Sequence, residues 1–322
     1  MKILLSGSVA FDYLMSFPGY FRDHFLPDRL DCISLSFLVE SMSKMPGGIA
    51  PNIAYTMALL GEHPRLWAAV GEDFEEYRRF LEERGVDTSG AQTIPGVFTA
   101  SFFVNTDRSN AQIASFFPGA MAHATQLSMH RLEDDPPDLV VVSPNDPGAM
   151  NLYVQECQEL GIPYIYDPSQ QIVRLSAEEV ETGLRGALAL FVNDYERALI
   201  QNLTGKPVET VLQNSPAAFV VVTMGEKGAE IHTQQGLRQI PCIPPENIED
   251  PTGVGDAFRG GFLTGYSHHF NLELCARMGA LAATYCLEQH GAQGHVFTSA
   301  QFVERFRRNF EDGGVLDELL PD

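Results

Sequence analysis

The sequence predicts an α/β fold in three layers, a mostly parallel sheet with helices on both faces, to which a small β-sheet lid is added. Short continuous apolar runs alternate with longer amphipathic stretches along the chain, which is the pattern of a parallel sheet covered on both sides. Two segments, residues 12–45 and 97–118, break that rhythm with β-forming stretches and no helical period. No internal repeat or low-complexity tract divides the 322 residues, so the whole chain reads as one α/β domain with the lid inserted.

In chain order, strands are expected at residues 3–5, 65–70, 139–142, 164–166, 188–192 and 219–223. Each is a short apolar run rich in Val, Ile, Leu or Phe, as strands buried on both faces require. The first stops at Ser6 and Gly7, too short for a signal peptide or a membrane span. Helices are expected at 52–60, 75–84, 149–160, 178–186, 195–203, 257–268 and 272–288, where apolar residues recur at helical spacing. Within the first irregular segment, Cys32-Ile33-Ser34-Leu35-Ser36-Phe37-Leu38-Val39 alternates and predicts a half-buried strand. In the second, Phe98-Thr99-Ala100-Ser101-Phe102-Phe103-Val104 predicts another. Both are read as lid strands covering the cleft. The apolar outer face of such a sheet would want a partner, and a homodimer through the lid answers that.

Bulk composition narrows the function classes. The chain is 44% hydrophobic and 20% charged, enough for a sizeable core. Its formal charge of −21 argues against nucleic acid and anionic membrane as partners. Five scattered cysteines with no Cys-x-x-Cys pair indicate neither a disulfide framework nor a zinc site, and a reduced cytoplasm is the expected compartment.

The most informative segment is Asp250-Pro251-Thr252-Gly253-Val254-Gly255-Asp256-Ala257-Phe258. Gly253 and Gly255 leave backbone N–H groups unshielded, and the apolar run beyond them places those groups at a helix N-terminus, a site for an anion. Asp256 sets a carboxylate beside that hole. This is costly without a purpose, and the purpose inferred is a general base acting on a hydroxyl that attacks a nucleotide's terminal phosphate. A tight turn with Asp256 capping the helix is the alternative. Four further constellations accompany it. Gly47-Gly48-Ile49-Ala50-Pro51-Asn52 permits close backbone approach to a ligand, with Asn52 either capping a helix or reaching a hydroxyl. Ser8 and Asp12 follow the first strand on the side where ligands bind, and the carboxylate suits paired sugar hydroxyls or is a plain turn acid. Asn193 and Glu196 suit a water-mediated Mg²⁺, or form a capping box. Thr223, at the end of a buried strand, runs into Gly225 and Gly228 and could line a nucleotide. No Gly-x-x-x-x-Gly-Lys-Ser/Thr motif occurs, and no Gly-x-Gly-x-x-Gly follows a strand.

In this order, these segments resemble the ribokinase-like (PfkB) family of carbohydrate and nucleoside kinases over nearly the whole chain. Gly47-Gly48 to Asn52 matches its first signature, Asp250 to Asp256 its second, and Asn193-Asp194-Tyr195-Glu196 its Asn-x-x-Glu motif. Within the family, several stretches look most like bacterial adenosine kinases, especially the actinobacterial type. These include Phe17-Pro18-Gly19, residues 34–39, residues 111–121 and Asp167-Pro168-Ser169-Gln170-Gln171.

The resemblance implies a ribokinase-like fold and transfer of the γ-phosphoryl of ATP to a primary hydroxyl, the 5′-OH of adenosine in purine salvage. It makes Asp256 the base and the amides of Gly253, Val254, Gly255 and Asp256 the anion hole. Asp12 holds the ribose hydroxyls with Gly48 and Asn52, and Ser8 lies close. Phe102 and Phe116 sandwich the purine, unless they are lid core. Ser36 and Gln170, from the adenosine-kinase-like stretches, are further substrate candidates. Asn193 and Glu196 organise Mg²⁺, Thr223, Gly225 and Gly228 line ATP, and Asp250 and Thr252 bind a monovalent cation, K⁺. Arg108 and Arg174 are candidates to neutralise charge in the transition state, or are solvated turn residues. A sugar kinase of the same fold and a non-catalytic nucleoside or nucleotide sensor are the alternatives.

Overall fold

The computed structural model describes residues 1–25, 32 and 34–320. In chain order the elements are β1 (Ile3–Ser6), β2 (Ala10–Ser16), β3 (Ser41–Gly47), α1 (Ile49–Leu59), β4 (Arg65–Val70), α2 (Glu75–Glu82), β5 (Ala91–Thr93), β6 (Ala100–Thr106), β7 (Gln112–Phe117), β8 (Leu139–Val142), α3 (Pro147–Leu160), β9 (Tyr164–Tyr166), α4 (Ala177–Leu184), β10 (Ala189–Asn193), α5 (Asp194–Thr204), β11 (Phe219–Thr223), β12 (Ala229–Thr233), β13 (Gly236–Ile240), α6 (Val254–Ser267), α7 (Leu272–Leu287) and α8 (Ser299–Asn309).

A nine-stranded sheet in the order β13-β12-β11-β10-β9-β8-β1-β4-β5 forms the middle layer. It is parallel from β11 to β5, and only β12 and β13 pair antiparallel at one edge. Side chains of α1, α6, α7 and α8 pack on one face of this sheet and those of α3, α4 and α5 on the other, giving two cores. The predicted strands at 65–70, 139–142, 164–166 and 219–223 are found with those bounds, since each is sandwiched between helices and apolar but for Arg65 and Thr223 at the half-buried ends.

α6 lies unusually close to its neighbours. A Cβ on Gly260 would sit 2.6 Å from Thr56 Cβ on α1, and one on Gly261 would sit 2.7 Å from the Met278 carbonyl on α7. Two adjacent glycines therefore let three helices meet backbone to backbone.

The second sheet, β3-β2-β6-β7, is the expected lid. It leaves the body only three residues after β1, at the carboxyl edge of the parallel strands. Register puts Asp12, Phe102 and Phe116 side by side on one face. The other face carries Tyr13 stacked on Phe103 with ring centroids 4.7 Å apart, together with exposed Met42, Ile113 and Phe117.

One expectation is corrected here. The alternating stretch at 32–39 does not form a strand: residues 34–39 are irregular, Ile33 lies outside the described residues, and the lid strand begins only at Ser41. Among the described residues the free edges of the lid, on β3 and β7, stay unpaired, and the stretch is held by side-chain packing rather than by a ladder. Phe37 instead packs into an aromatic cluster with Phe17, Phe21 and His24.

Candidate active site

The site is built around the start of α6. Gly253 occupies the N-cap position at φ 78°, with no side chain capping the helix. A Cβ there would lie 2.3 Å from Ala292 Cβ, so both conformation and space require glycine. The N–H groups of Gly255 and Asp256 meet no acceptor among the described residues. Together with the helix dipole they form a preformed seat for an anion.

The Asp256 carboxylate stands in the first turn of the same helix, half-buried. Asn52 Nδ2, on α1, donates to its Oδ2 at 2.8 Å. Withdrawal from water pushes the carboxyl up to about 7, against the opposing pull of Arg259 and the Asn52 hydrogen bond. A carboxyl that is part-ionised near neutrality, beside an anion seat, can take a proton from an alcohol.

Arg259 lies one helical turn beyond Asp256. Its guanidinium makes a bidentate pair with Asp167, Nε to Oδ2 at 2.5 Å and Nη2 to Oδ1 at 2.7 Å, and Nη1 donates to the Gly255 carbonyl at 3.0 Å. The pair lies in the interior, and the charge of Arg259 also favours the ionised forms of Asp256 and Glu196. Burial opposes the guanidinium's charge, but Asp167, Asp256 and Glu196 outweigh it and raise its proton affinity.

On the acceptor side, Asp12 on β2 packs against Gly47, where a Cβ would lie 2.6 Å from its Oδ2. Burial raises the Asp12 carboxyl to about 6. Gly48 adopts φ 96°, and a Cβ there would lie 2.5 Å from the Ser8 carbonyl. Ser8 Oγ accepts from the Ile49 N–H at 3.3 Å. Pro51 falls in the first turn of α1, where its missing N–H leaves no bond unmade. Ser8, Asp12, Gly48 and Asn52 thus gather at the lid root beside Asp256, with Phe102 and Phe116 on the Asp12 face above them.

The nucleotide-side candidates lie at strand ends. Thr223 closes β11 and runs through Gly225 (φ 58°) and Gly228 (φ 86°) into β12. Asn193 and Glu196 form a complete capping box: Glu196 N–H donates to Asn193 Oδ1 at 2.7 Å and Asn193 N–H to Glu196 Oε2 at 2.8 Å. Ser169 Oγ donates to Glu196 Oε1 at 3.2 Å, and burial raises the Glu196 carboxyl against the charge of Arg259. An oxygen set already engaged in this way fits a hard cation that keeps most of its own waters. Among the described residues no group of three or more His, Cys, Asp or Glu could hold a bare metal. Asp250 Oδ1 accepts from Thr252 N–H at 2.8 Å and its Oδ2 from Gly291 N–H at 2.9 Å, which ties two oxygen-lined loops together behind the anion seat.

Three predicted residues are not brought to this cluster. Arg108 lies exposed in the turn joining β6 to β7, roughly 20 Å of strand away from the lid root. Ser36 is exposed in the irregular stretch before β3, and Arg174 is exposed at the end of a short 3₁₀ turn. Gln170, exposed on the same turn, lies beside Glu196, its Oε1 3.0 Å from the Ser169 Oγ that Glu196 shares. Neighbouring Gln171 is the buried one, with its Oε1 unpaired. Sequence reasoning gave no role to Asp167, Arg259, Gln293 or Tyr77. An arginine on an otherwise apolar helix face signalled Arg259, since burial there demands a carboxylate. Nothing local signalled the rest.

Comparison with known proteins identifies the family and the fold. The profile described as pfkB family carbohydrate kinase matches residues 27–298. The nucleoside kinase of Methanocaldococcus jannaschii is 29% identical over 310 residues, 96% of this chain and 97% of that protein. The ribokinase of Lactococcus lactis is 25% identical over 301 residues, 91% of this chain and 93% of that protein. The structure of the Burkholderia thailandensis nucleoside kinase in complex with inosine superposes with a TM-score of 0.83 at 33% identity, covering 96% and 99% of the two chains. The same kinase in complex with ADP-inosine gives 0.82 at 34%, covering 96% of each chain. Among the described residues no helix is long and apolar enough to cross a membrane.

Proposed function

The chain belongs to the pfkB family of carbohydrate kinases, phosphotransferases with an alcohol acceptor and ATP as donor, and from that premise we propose that it phosphorylates the 5′-hydroxyl of a nucleoside, adenosine first. One observation carries the reading: the Asp256 carboxylate stands at an uncapped, anion-seeking helix start, hydrogen-bonded to Asn52 near the root of a lid sheet on which Asp12 shares a side with Phe102 and Phe116. Asp12 accepts the ribose 2′- and 3′-hydroxyls, with Gly48 and Asn52 fixing the sugar. The two phenylalanines stack on a base, a contact worth ~1–3 kcal/mol in nucleic-acid binders. A free sugar has no use for such a platform.

Asp256 removes the proton from the 5′-OH as that oxygen attacks the γ-phosphorus, and the bond from that phosphorus to the bridging oxygen breaks with ADP as the leaving group. The amides of residues 253–256 stabilise charge on the moving phosphoryl group, which is where this reaction is mainly helped. Asn193 and Glu196 hold Mg²⁺ through its waters, Thr223, Gly225 and Gly228 line ATP, and Asp250 with Thr252 binds a monovalent cation such as K⁺. Mg²⁺ supplies neutralisation of the phosphate charge. The exposed face of the lid, with Met42, Phe103, Ile113 and Phe117, pairs with a second copy.

Similarity to the Lactococcus ribokinase favours one second reading, a sugar kinase on the same scaffold. ADP release with Mg-ATP and a panel of adenosine, inosine, cytidine, ribose and fructose separates the two, and ³¹P NMR of the product identifies the phosphorylated position. Turnover with ribose or fructose but no nucleoside overturns the proposal. Binding of nucleosides without ADP release would make the chain a sensor.

A further inference from the structure

A single chain of hydrogen bonds, buried up to its last, part-buried link, runs from the lid root to Asp256. Tyr77 OH, on α2, donates to the Gly47 carbonyl at 3.1 Å. Gln293 Nε2 reaches Tyr77 OH at 2.5 Å and Asn52 Oδ1 at 2.8 Å, and Asn52 Nδ2 reaches Asp256 Oδ2 at 2.8 Å. These residues are brought together from three distant parts of the sequence, with separations of 216 and 241 between Gln293 and its two partners.

The polarity of this chain follows from its first member. A backbone carbonyl can only accept, so the Tyr77 hydroxyl spends its one proton on Gly47. Its oxygen then accepts, so the group facing it is the Gln293 NH₂ and not the carbonyl. The second proton of that NH₂ points to Asn52, which must present Oδ1 there and turn its own NH₂ toward Asp256. The reversed arrangement would set the Asn52 carbonyl against a carboxylate, two acceptors with no proton between them. Gln293 Oε1 is buried without a partner, so the NH₂ contacts alone hold its amide. The loop that bears Gln293 also abuts the anion seat through Ala292 and Gly253.

We propose that Gln293 and Tyr77 are positioning residues for phosphoryl transfer: they lock the Asn52 amide so that its N–H faces Asp256 Oδ2, and they thereby leave Oδ1 as the oxygen that meets the acceptor hydroxyl. This rests on Asp256 being the base. The other ionisable groups that act on or are perturbed by Asp256 are Arg259 on α6, Asp167 after β9, Glu196 on α5, Tyr77 on α2 and Cys286 on α7. All but Tyr77 are untouched by a change at residue 293 or 77, so a shift seen in both variants belongs to the chain of amides.

The test uses the full-length protein with Gln293→Met, which keeps the shape and removes the donors, and Tyr77→Phe, which removes only the hydroxyl. Asp256 is titrated by ¹³C carboxyl NMR, its resonance assigned by its loss in Asp256→Asn, and kcat is followed against pH with the acceptor that turns over. Losing a locked N–H donor raises the midpoint in Gln293→Met by roughly half to one pH unit, with a smaller rise in Tyr77→Phe. The acid limb of kcat moves with it, while the acceptor KM changes by less than ~3-fold. A role confined to packing lowers stability or kcat evenly across pH and leaves the midpoint in place, and that result overturns the proposal. Should Gln293→Met not fold, the midpoint of Tyr77→Phe decides alone. Normal turnover in Asp256→Asn would remove the base assignment itself, a failure the NMR midpoints cannot mimic.

Discussion

Replacing Arg259 with methionine keeps much of the apolar stem and deletes the guanidinium that holds Asp167. Asp167 is 0% exposed and Arg259 7%, and two charge-assisted hydrogen bonds join them. Removing one partner of such a pair strands a charge away from water, at a cost of roughly 3–5 kcal/mol. An unfolding entropy of ~2.1 cal/mol/K per residue gives about 0.7 kcal/mol/K for a chain of this length, so the midpoint of thermal unfolding should fall by roughly 4–7 °C. The double variant Arg259→Met/Asp167→Leu removes both charges and should recover most of that loss, because an apolar pair of similar volume carries no stranded ion. Calorimetry and urea titration of wild type, both single variants and the double variant close the cycle. A loss below ~1 kcal/mol in Arg259→Met, or a double variant no more stable than the single one, would refute the account of Arg259 as the cation on which the site's acids depend.

Asp256→Asn should keep nucleoside and ATP binding by calorimetry while kcat falls by at least ~100-fold; near-normal turnover would exclude the base. On the proposed base role the working form is the carboxylate, and with its pKa raised to about 7, wild-type kcat should fall about tenfold per pH unit below that value and level off above it. Asp12→Ala should raise the nucleoside KM strongly with a smaller change in kcat, and an unchanged KM would take Asp12 out of the sugar site. His295 is buried and neutral, its ring pushed down to about 4 by loss of water, so the unfolded chain takes up a proton near 6.5 that the folded chain refuses. The stability it contributes is complete above pH 6.5 and declines by about 3 kcal/mol as pH falls toward 4; urea titrations at pH 7 and 4.5 with equal losses in wild type and His295→Leu would contradict this.

What the sequence disclosed divides along physical lines. Strands such as Leu139–Val142 and Phe219–Thr223 were legible because burial on both faces leaves apolar residues everywhere but at the half-buried Thr223. β13, Gly-Leu-Arg-Gln-Ile, lies mostly exposed at the sheet edge and carries no such run. α8 is polar over most of its surface, and its only local mark is the Thr298 and Gln301 capping box. The residues around the anion seat were readable because backbone chemistry forces glycine and an acid into contiguous positions. Tyr77 and Gln293 were not, since a hydrogen-bonded partner far along the chain leaves no periodic trace. Residues 34–39 show the converse: alternation states a preference, and here the packing of Phe37 among Phe17, Phe21 and His24 took precedence over a ladder.

The close approach of α6 to α1 and α7 bears on engineering this enzyme for heat resistance. Exchanging a mid-helix glycine for alanine is an ordinary route to a hardier protein, worth up to ~1 kcal/mol where space allows. At Gly260 and Gly261 the added methyl would prise apart the very helices that carry Asn52 and Asp256. Thermal robustness and reactant alignment therefore compete for the same few cubic ångströms, and a stabilising library should leave those two positions alone.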